Sequence, residues 1–76
     1  MNQDKFIKNI VEAFELESRN DIEMSQEFKQ LDEWDSLASL SLIAMLDEEY
    51  DVELESQDLD RLSTVEDLYL FVKSKL

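Results

Sequence analysis

The sequence predicts a small all-α four-helix bundle, made of three main helices plus one short helix. Apolar residues recur at intervals of three and four in three long segments, which is the spacing of one helix face. Residues that favour helix N-caps precede these segments. With 76 residues, the chain is long enough for one small domain, and we expect that domain to span residues 1–76.

The first helix is predicted from Asp4 to about Leu16. Asn2 or Asp4 would cap its start, and the Asp4 carboxylate would interact favourably with the positive end of the helix dipole. Polar residues separate the members of an apolar stripe that we expect to face the core. The stripe consists of Phe6, Ile7, Ile10, Val11 and Phe14.

A long polar connection is predicted from about Glu17 to Asp35. Its scattered apolar residues indicate a loop held against the core rather than a disordered linker. These residues are Ile22, Met24, Phe28 and Leu31. A short helical turn near Ser25–Lys29 is compatible with the sequence, and a loop of this length allows the flanking helices to run in either relative direction.

The second helix is predicted from Ser36 to Tyr50. One of its faces would enter the core, and this face carries Ser39, Leu42, Ile43, Leu46 and Tyr50. The other face would leave the two leucines nearest the helix start exposed, and it carries Leu37, Leu40, Ser41, Ala44 and Glu48. The helix ends in acidic residues, which interact unfavourably with the negative end of its dipole.

The last third of the chain predicts one short and one long helix. Ser56 is a good N-cap for a short helical turn that extends to Leu62. Ser63 and Glu66 have the spacing of a capping box that would open the last helix. The apolar face of that helix consists of Val65, Leu68, Tyr69, Phe71 and Val72.

Composition excludes several classes of function. The chain has no cysteine, histidine or glycine, so it lacks thiol nucleophiles, thiolate metal sites, imidazole bases and glycine-rich phosphate loops. Its net charge of −13 disfavours binding to nucleic acid or anionic membranes and favours protein partners with basic docking patches. The N-terminal residues show no targeting pattern, and we expect a cytoplasmic, monomeric protein without a membrane span.

Ser36 has two interpretations at the start of the second helix. It is either an N-cap or an exposed hydroxyl that another enzyme modifies, beside N–H groups that favour a phosphate. Catalysis by Ser36 itself would need a positioned base, and the nearest preceding lysine is Lys29, across the loop. Residues 32–35 lack the alternating ligands and the glycine of a calcium loop, so we predict neither catalytic residues nor a metal site.

Several residues around Ser36 resemble a known family. The pattern consists of Asp35-Ser36-Leu37, Leu40, Leu42, Leu46, Glu48-Glu49-Tyr50 and Thr64-Val65-Glu66-Asp67-Leu68. Together they resemble an acyl carrier protein over nearly the whole chain, including its length, acidity, helix order and long first loop. The resemblance implies that a phosphopantetheinyl transferase attaches phosphopantetheine from coenzyme A covalently to Ser36. The thiol of this arm would hold acyl or aminoacyl groups as thioesters, so the protein would be a carrier and not an enzyme.

The resemblance also implies roles for other residues. Trp34, Asp35 and Leu37 would be neighbours of the attachment site, with Trp34 either over the base of the arm or against the core. The surface that meets a loading ligase, a synthase or an acyltransferase would consist of Leu37, Leu40, Ala44, Asp47 and Glu48.

The sequence departs from carriers of the main fatty-acid pathway. Such carriers usually have a glycine shortly before Asp-Ser-Leu and acidic residues soon after it. Here Glu33 and Trp34 precede the triplet, and Ala38 and Ser41 follow it, so the acidic surface moves towards the end of the helix. The sequence is more similar to a stand-alone carrier of a specialised pathway or to a carrier domain of a modular synthase.

An alternative of another class is an acidic helical adaptor that binds basic protein partners without a prosthetic group. In that case Ser36 is only an N-cap, and Ser36→Ala would destabilise the protein by about 1 kcal/mol.

Overall fold

The computed structural model describes residues 2–16 and 22–76, and the described part is helical. It contains α1 (Gln3–Ala13), a 3-10 helix (Phe28–Gln30), α2 (Ser36–Tyr50), α3 (Ser56–Arg61) and α4 (Val65–Lys75). The predicted all-α class is therefore confirmed, with three main helices and one short helix. None of the described helices combines the length and apolar character needed to cross a membrane.

The first helix begins one residue before the predicted start and ends three residues before the predicted end. Asn2 is its N-cap, and the Asn2 side chain accepts a hydrogen bond of 3.2 Å from the backbone N–H of Lys5. The helix stops because Glu15 adopts a left-handed conformation with φ of 57°. The Leu16 N–H then donates to the carbonyl of Val11 at 2.9 Å, which satisfies an end carbonyl of the helix.

The connection before α2 is attached to the start of α4, as far as the structure describes it. The Val65 N–H donates to the Gln26 carbonyl at 2.9 Å, and the Glu66 N–H donates to the Met24 carbonyl at 2.8 Å. These bonds satisfy two helix-start N–H groups that have no partner within α4. Phe28 is fully buried, so the prediction of a loop held against the core is confirmed for residues 22–35, whereas residues 17–21 lie outside the described residues.

The predicted turn near Ser25–Lys29 lies a little later in the structure. The backbone turns at Gln26, whose N–H donates to the Glu23 carbonyl at 3.0 Å, and the 3-10 helix then covers Phe28–Gln30. Lys29 also joins this segment to α3, since its ammonium group donates to the Leu59 carbonyl at 2.6 Å.

The first two helices run antiparallel, a direction that the loop length had left open. At one end of the pair, the amide of Asn9 in α1 donates to the Tyr50 hydroxyl at 3.0 Å. At the other end, Phe14 packs edge-on against Trp34, with 5.6 Å between the ring centroids.

Burial raises the pKa of the Tyr50 hydroxyl above its usual value.

Two predicted caps are wrong by one residue each. Glu55, not Ser56, is the N-cap of α3, and its N–H donates to the Asp58 carboxylate at 3.2 Å. The capping box of α4 is formed by Thr64 and Asp67, not by Ser63 and Glu66.

The Thr64–Asp67 box is held by three hydrogen bonds. The Asp67 N–H donates to the Thr64 hydroxyl at 3.0 Å, while the Asp67 carboxylate accepts from the N–H groups of Thr64 and Ser63. These backbone hydrogen bonds, chiefly that from Thr64, lower the pKa of the Asp67 carboxyl. The Ser63 carbonyl accepts from the Phe28 N–H at 3.2 Å, in the bridge between the loop and α4.

The apolar stripes predicted for α1, α2 and α4 meet in one core. The side chains without measurable exposure are Phe6, Ile10, Phe28, Leu42, Leu46, Val65, Leu68 and Val72. Ala38 and Met45 of α2 are also buried, although the predicted core face did not include them. Full burial of each large aliphatic or aromatic side chain contributes about 1.5–3 kcal/mol, so this core is the main stabilising element.

Candidate functional site

Asp35 is the N-cap of α2, which corrects the interpretation of Ser36 as the cap. The Asp35 carboxylate accepts a hydrogen bond of 2.8 Å from the Ala38 N–H, and the Asp35 carbonyl accepts from Ser39 at 3.0 Å. Asp35 has the extended backbone that a cap requires, with φ of −156°. Its negative charge also interacts favourably with the positive end of the helix dipole.

Ser36 is therefore the first residue inside α2, and its side chain is exposed. Its hydroxyl makes no hydrogen bond to any described residue, while its carbonyl accepts from the Ser39 hydroxyl at 2.9 Å. Within the described chain, the N–H groups of Ser36 and Leu37 also have no acceptor. The helix start thus combines an exposed hydroxyl with two N–H groups that have no acceptor among the described residues.

Two leucines flank this helix start on the outer surface of α2. Leu37 is 73% exposed and Leu40 is 62% exposed, as the sequence predicted. Ala44, Asp47 and Glu48 are also exposed further along α2, so all five residues of the predicted partner surface are accessible. Their role in partner binding stays a prediction.

Trp34 packs against the core and not over Ser36. Its ring lies 5.2 Å from that of Phe28 and 5.6 Å from that of Phe14, edge-on in both cases. The side chain is partly buried by these contacts. Trp34 therefore anchors the backbone directly before the N-cap, which fixes where α2 begins.

The end of α2 carries acidic residues as predicted, and the left-handed Asp51 terminates it, with φ of 54°. Asp47, Glu48 and Glu49 lie in the last turn, where no basic residue compensates the negative end of the dipole. The arrangement is unfavourable for helix stability, by a few tenths of a kcal/mol to about 1 kcal/mol for each charge. It creates a negative surface at the opposite end of α2 from Ser36.

The sequence analysis missed a pair of shallow grooves along the seam between α1 and α2. One groove, of about 250 Å³, contains Asp35, Leu37 and Ala38 in its lining. The second, of about 300 Å³, is further from Ser36. Both grooves are lined by Ala13 of α1 and Ser41 of α2. The sequence signal for the grooves is the small residue at every third position of α2, namely Ala38, Ser41 and Ala44. Which residues of α1 face these positions depends on the antiparallel direction of the two helices.

The described residues show no catalytic arrangement around Ser36. Lys29, the candidate base, donates instead to the Leu59 carbonyl and lies 5.7 Å from the Phe28 ring centre. Among the residues that the structure describes, no group of three or more acidic side chains could hold a metal ion.

Comparison with known proteins agrees with this geometry. Residues 5–72 match the family model described as a phosphopantetheine attachment site. No protein with a curated description matches the chain. Members of this family hold phosphopantetheine covalently on a serine and act as carriers, not as catalysts. Since the match covers most of the chain, the protein belongs to the phosphopantetheine attachment family of acyl-carrier-like proteins.

Proposed function

We propose that this protein carries an acyl, aminoacyl or related group as a thioester on a phosphopantetheine arm attached to Ser36. The observation that carries the proposal is the exposed hydroxyl of Ser36 in the first turn of α2, which Asp35 frees from capping. The protein would present its cargo to partner enzymes as a cytoplasmic, monomeric domain of residues 1–76.

The surroundings of Ser36 fit the proposed group. Attachment forms a bond between the Ser36 oxygen and the phosphorus of the phosphopantetheine half of coenzyme A. The pyrophosphate bond breaks, adenosine 3′,5′-bisphosphate leaves, and the serine proton passes to a base on the transferase. The resulting phosphodiester would lie at the positive end of α2, close to the unpaired N–H groups of Ser36 and Leu37.

The arm supplies a terminal thiol, which this cysteine-free chain lacks. Protein residues would supply attachment, orientation and partner recognition. Leu37 and Leu40 offer apolar contact beside the attachment point, and the acids at the end of α2 offer a negative surface to basic patches. Partners would include a phosphopantetheinyl transferase and a loading ligase, synthase or acyltransferase.

We further propose that the pathway is a specialised one rather than bulk fatty-acid synthesis. Ala38 is buried and Ser41 is exposed on the first half of α2, so that half presents no acidic side chain after Asp35. The negative charges begin at Asp47. A partner would therefore need its basic residues opposite the far end of the helix and apolar residues opposite its start.

Co-expression with a promiscuous phosphopantetheinyl transferase tests the proposal. Intact mass spectrometry should show an increase equal to one phosphopantetheine in the wild-type protein. Ser36→Ala should abolish the increase, while Ser39→Ala, one turn further along α2, should retain it. A wild-type protein that stays unmodified with several transferases, or a modified Ser36→Ala protein, would contradict the assignment.

The adaptor alternative depended on Ser36 as a cap, and the hydrogen bond from Ala38 to Asp35 removes that reason. An adaptor without a prosthetic group would show no mass increase after co-expression with a transferase. The mass measurement therefore also separates the two functions.

A further inference from the structure

We propose that the seam between α1 and α2 is the resting site of the pantetheine arm. The site consists of the two grooves described above, which we call the seam grooves. This inference rests on the proposed attachment to Ser36 and adds where the uncharged, amide-bearing chain of the arm would lie when no partner is bound.

The seam grooves exist because small side chains face each other across the two helices. Ala13 of α1 and Ala38 and Ser41 of α2 all line the groove nearest Ser36. Larger side chains at these positions would fill the space between the helices. Phe14 and Leu37 add apolar surface to the same groove.

The seam grooves begin beside the attachment point. Asp35 and Leu37, the two sequence neighbours of Ser36, both line the nearer groove. A chain attached to Ser36 can therefore enter this groove without crossing another element of the bundle. Trp34 is not part of the lining of this groove, and its ring packs against Phe14 and Phe28.

The seam grooves continue along most of α2. The nearer groove shares Ala13 and Ser41 with the further one, whose lining reaches Ala44 and Glu48. The nearer groove, at about 250 Å³, is slightly smaller than typical ligand pockets, and the further one, at about 300 Å³, is at their lower limit, which suits a narrow flexible chain better than a protein segment.

The lining chemistry suits a neutral polar chain. Alanine, phenylalanine and leucine provide apolar contact, and the exposed Ser41 provides a hydrogen-bonding hydroxyl where the two grooves meet. Among the residues that the structure describes, the lining contains carboxylates but no lysine or arginine, so it offers no cation to hold an anionic ligand. Amide N–H groups of a pantetheine chain could donate to those carboxylates.

NMR spectra of the unmodified and modified proteins test the proposal. Modification should shift the backbone amide signals of Ala13, Ser41 and Ala44, which lie along the seam and away from Ser36. Ser41→Phe should fill the junction of the two grooves and remove these shifts. Leu70→Phe is the control, since Leu70 is exposed on α4, lines neither groove and is not part of the proposed partner surface.

The reactivity of the arm's thiol gives a second readout. An arm held in the seam should react several-fold more slowly with a maleimide than the same arm in Ser41→Phe, and Leu70→Phe should behave as the wild type. Circular dichroism and intact mass establish that each variant is folded and modified. If Ser41→Phe does not fold, Ser41→Leu replaces it.

The outcomes distinguish this inference from the carrier assignment. A wild-type protein that acquires no phosphopantetheine overturns both. A modified protein whose amide shifts are confined to residues 35–37, or whose thiol reacts equally fast in wild type and Ser41→Phe, overturns only the arm site.

Discussion

The start of α2 separates helix capping from attachment, and two substitutions test that separation. Asp35→Ala removes the acceptor of the 2.8 Å hydrogen bond from the Ala38 N–H. Loss of a cap costs about 0.5–2 kcal/mol, and loss of a negative charge at a helix start costs about 0.3–1 kcal/mol. Because Asp35 is exposed, we expect a combined loss of about 1–2 kcal/mol in the free energy of unfolding.

Ser36→Ala removes no hydrogen bond that the side chain makes to a described residue. Ser36 is exposed, and alanine favours the helix interior, so we expect the free energy of unfolding to change by less than about 0.5 kcal/mol. Attachment of phosphopantetheine should nevertheless be lost. Relative to the wild type, Asp35→Ala should therefore change mainly stability, whereas Ser36→Ala should change only the attachment of phosphopantetheine.

Urea unfolding followed by Trp34 fluorescence measures the difference, since this partly buried ring packs against two phenylalanines. In a domain of this size, each kcal/mol corresponds to about 4–8 °C in Tm, so thermal unfolding by circular dichroism is an independent check. If Ser36→Ala loses as much stability as Asp35→Ala, or if Asp35→Ala loses none, the assignment of the cap to Asp35 is refuted.

Three further predictions concern other parts of the chain. Glu15→Gly should stabilise the unmodified protein by about 0.5–1 kcal/mol in urea unfolding, because Glu15 has a left-handed backbone that glycine adopts without strain. The control Glu12→Gly, inside α1, should destabilise the protein by about 1 kcal/mol. Stability changes of the same sign in both variants would refute the reasoning. Asp67→Asn should lower the free energy of unfolding at pH 7, and the difference from wild type should shrink below about pH 4. The reason is that the pKa of Asp67 is lower in the folded state, so its ionised carboxylate stabilises the fold at pH values above the unfolded-state pKa, and this contribution is lost as pH falls through the folded-state pKa. A difference in stability that does not depend on pH would contradict this prediction. Glu48→Lys should slow association with the transferase in stopped-flow measurements, and the effect should be larger at low salt. The slower association is expected even though a lysine in the last turn interacts favourably with the dipole of α2. An unchanged association rate, or an equal effect of Glu53→Lys, would remove Glu48 from the docking surface.

Sequence periodicity predicted the helices well where the pattern was long. The bounds of α2 agree with the prediction at both ends, and the exposure of Leu37 and Leu40 followed from the positions of Leu42 and Leu46. A helix face is a local property, because it depends only on 3.6 residues per turn. The same local signal placed Ser36 at the start of α2, and the resemblance to acyl carrier proteins made it the candidate for attachment.

Helix caps were harder to predict, because neighbouring residues compete for the same role. Asp35 and Ser36, Glu55 and Ser56, and Ser63 and Thr64 are pairs in which either member can accept a cap hydrogen bond. The structure selects the first member twice and the second once. In the third pair the reason lies outside the helix, since the loop bonds of Phe28 to Ser63 and of Val65 to Gln26 set the register.

The sequence alone determined the helical class, the accessible serine and leucines of α2, and the acidic surface at the end of that helix. These depend on composition and on spacing within single segments. Only the tertiary structure decided that α1 runs antiparallel to α2, which residue caps α4, and that Ala13 and Ser41 line the same groove. Those features require residues distant in sequence to meet, and packing of the common core determines which of them do.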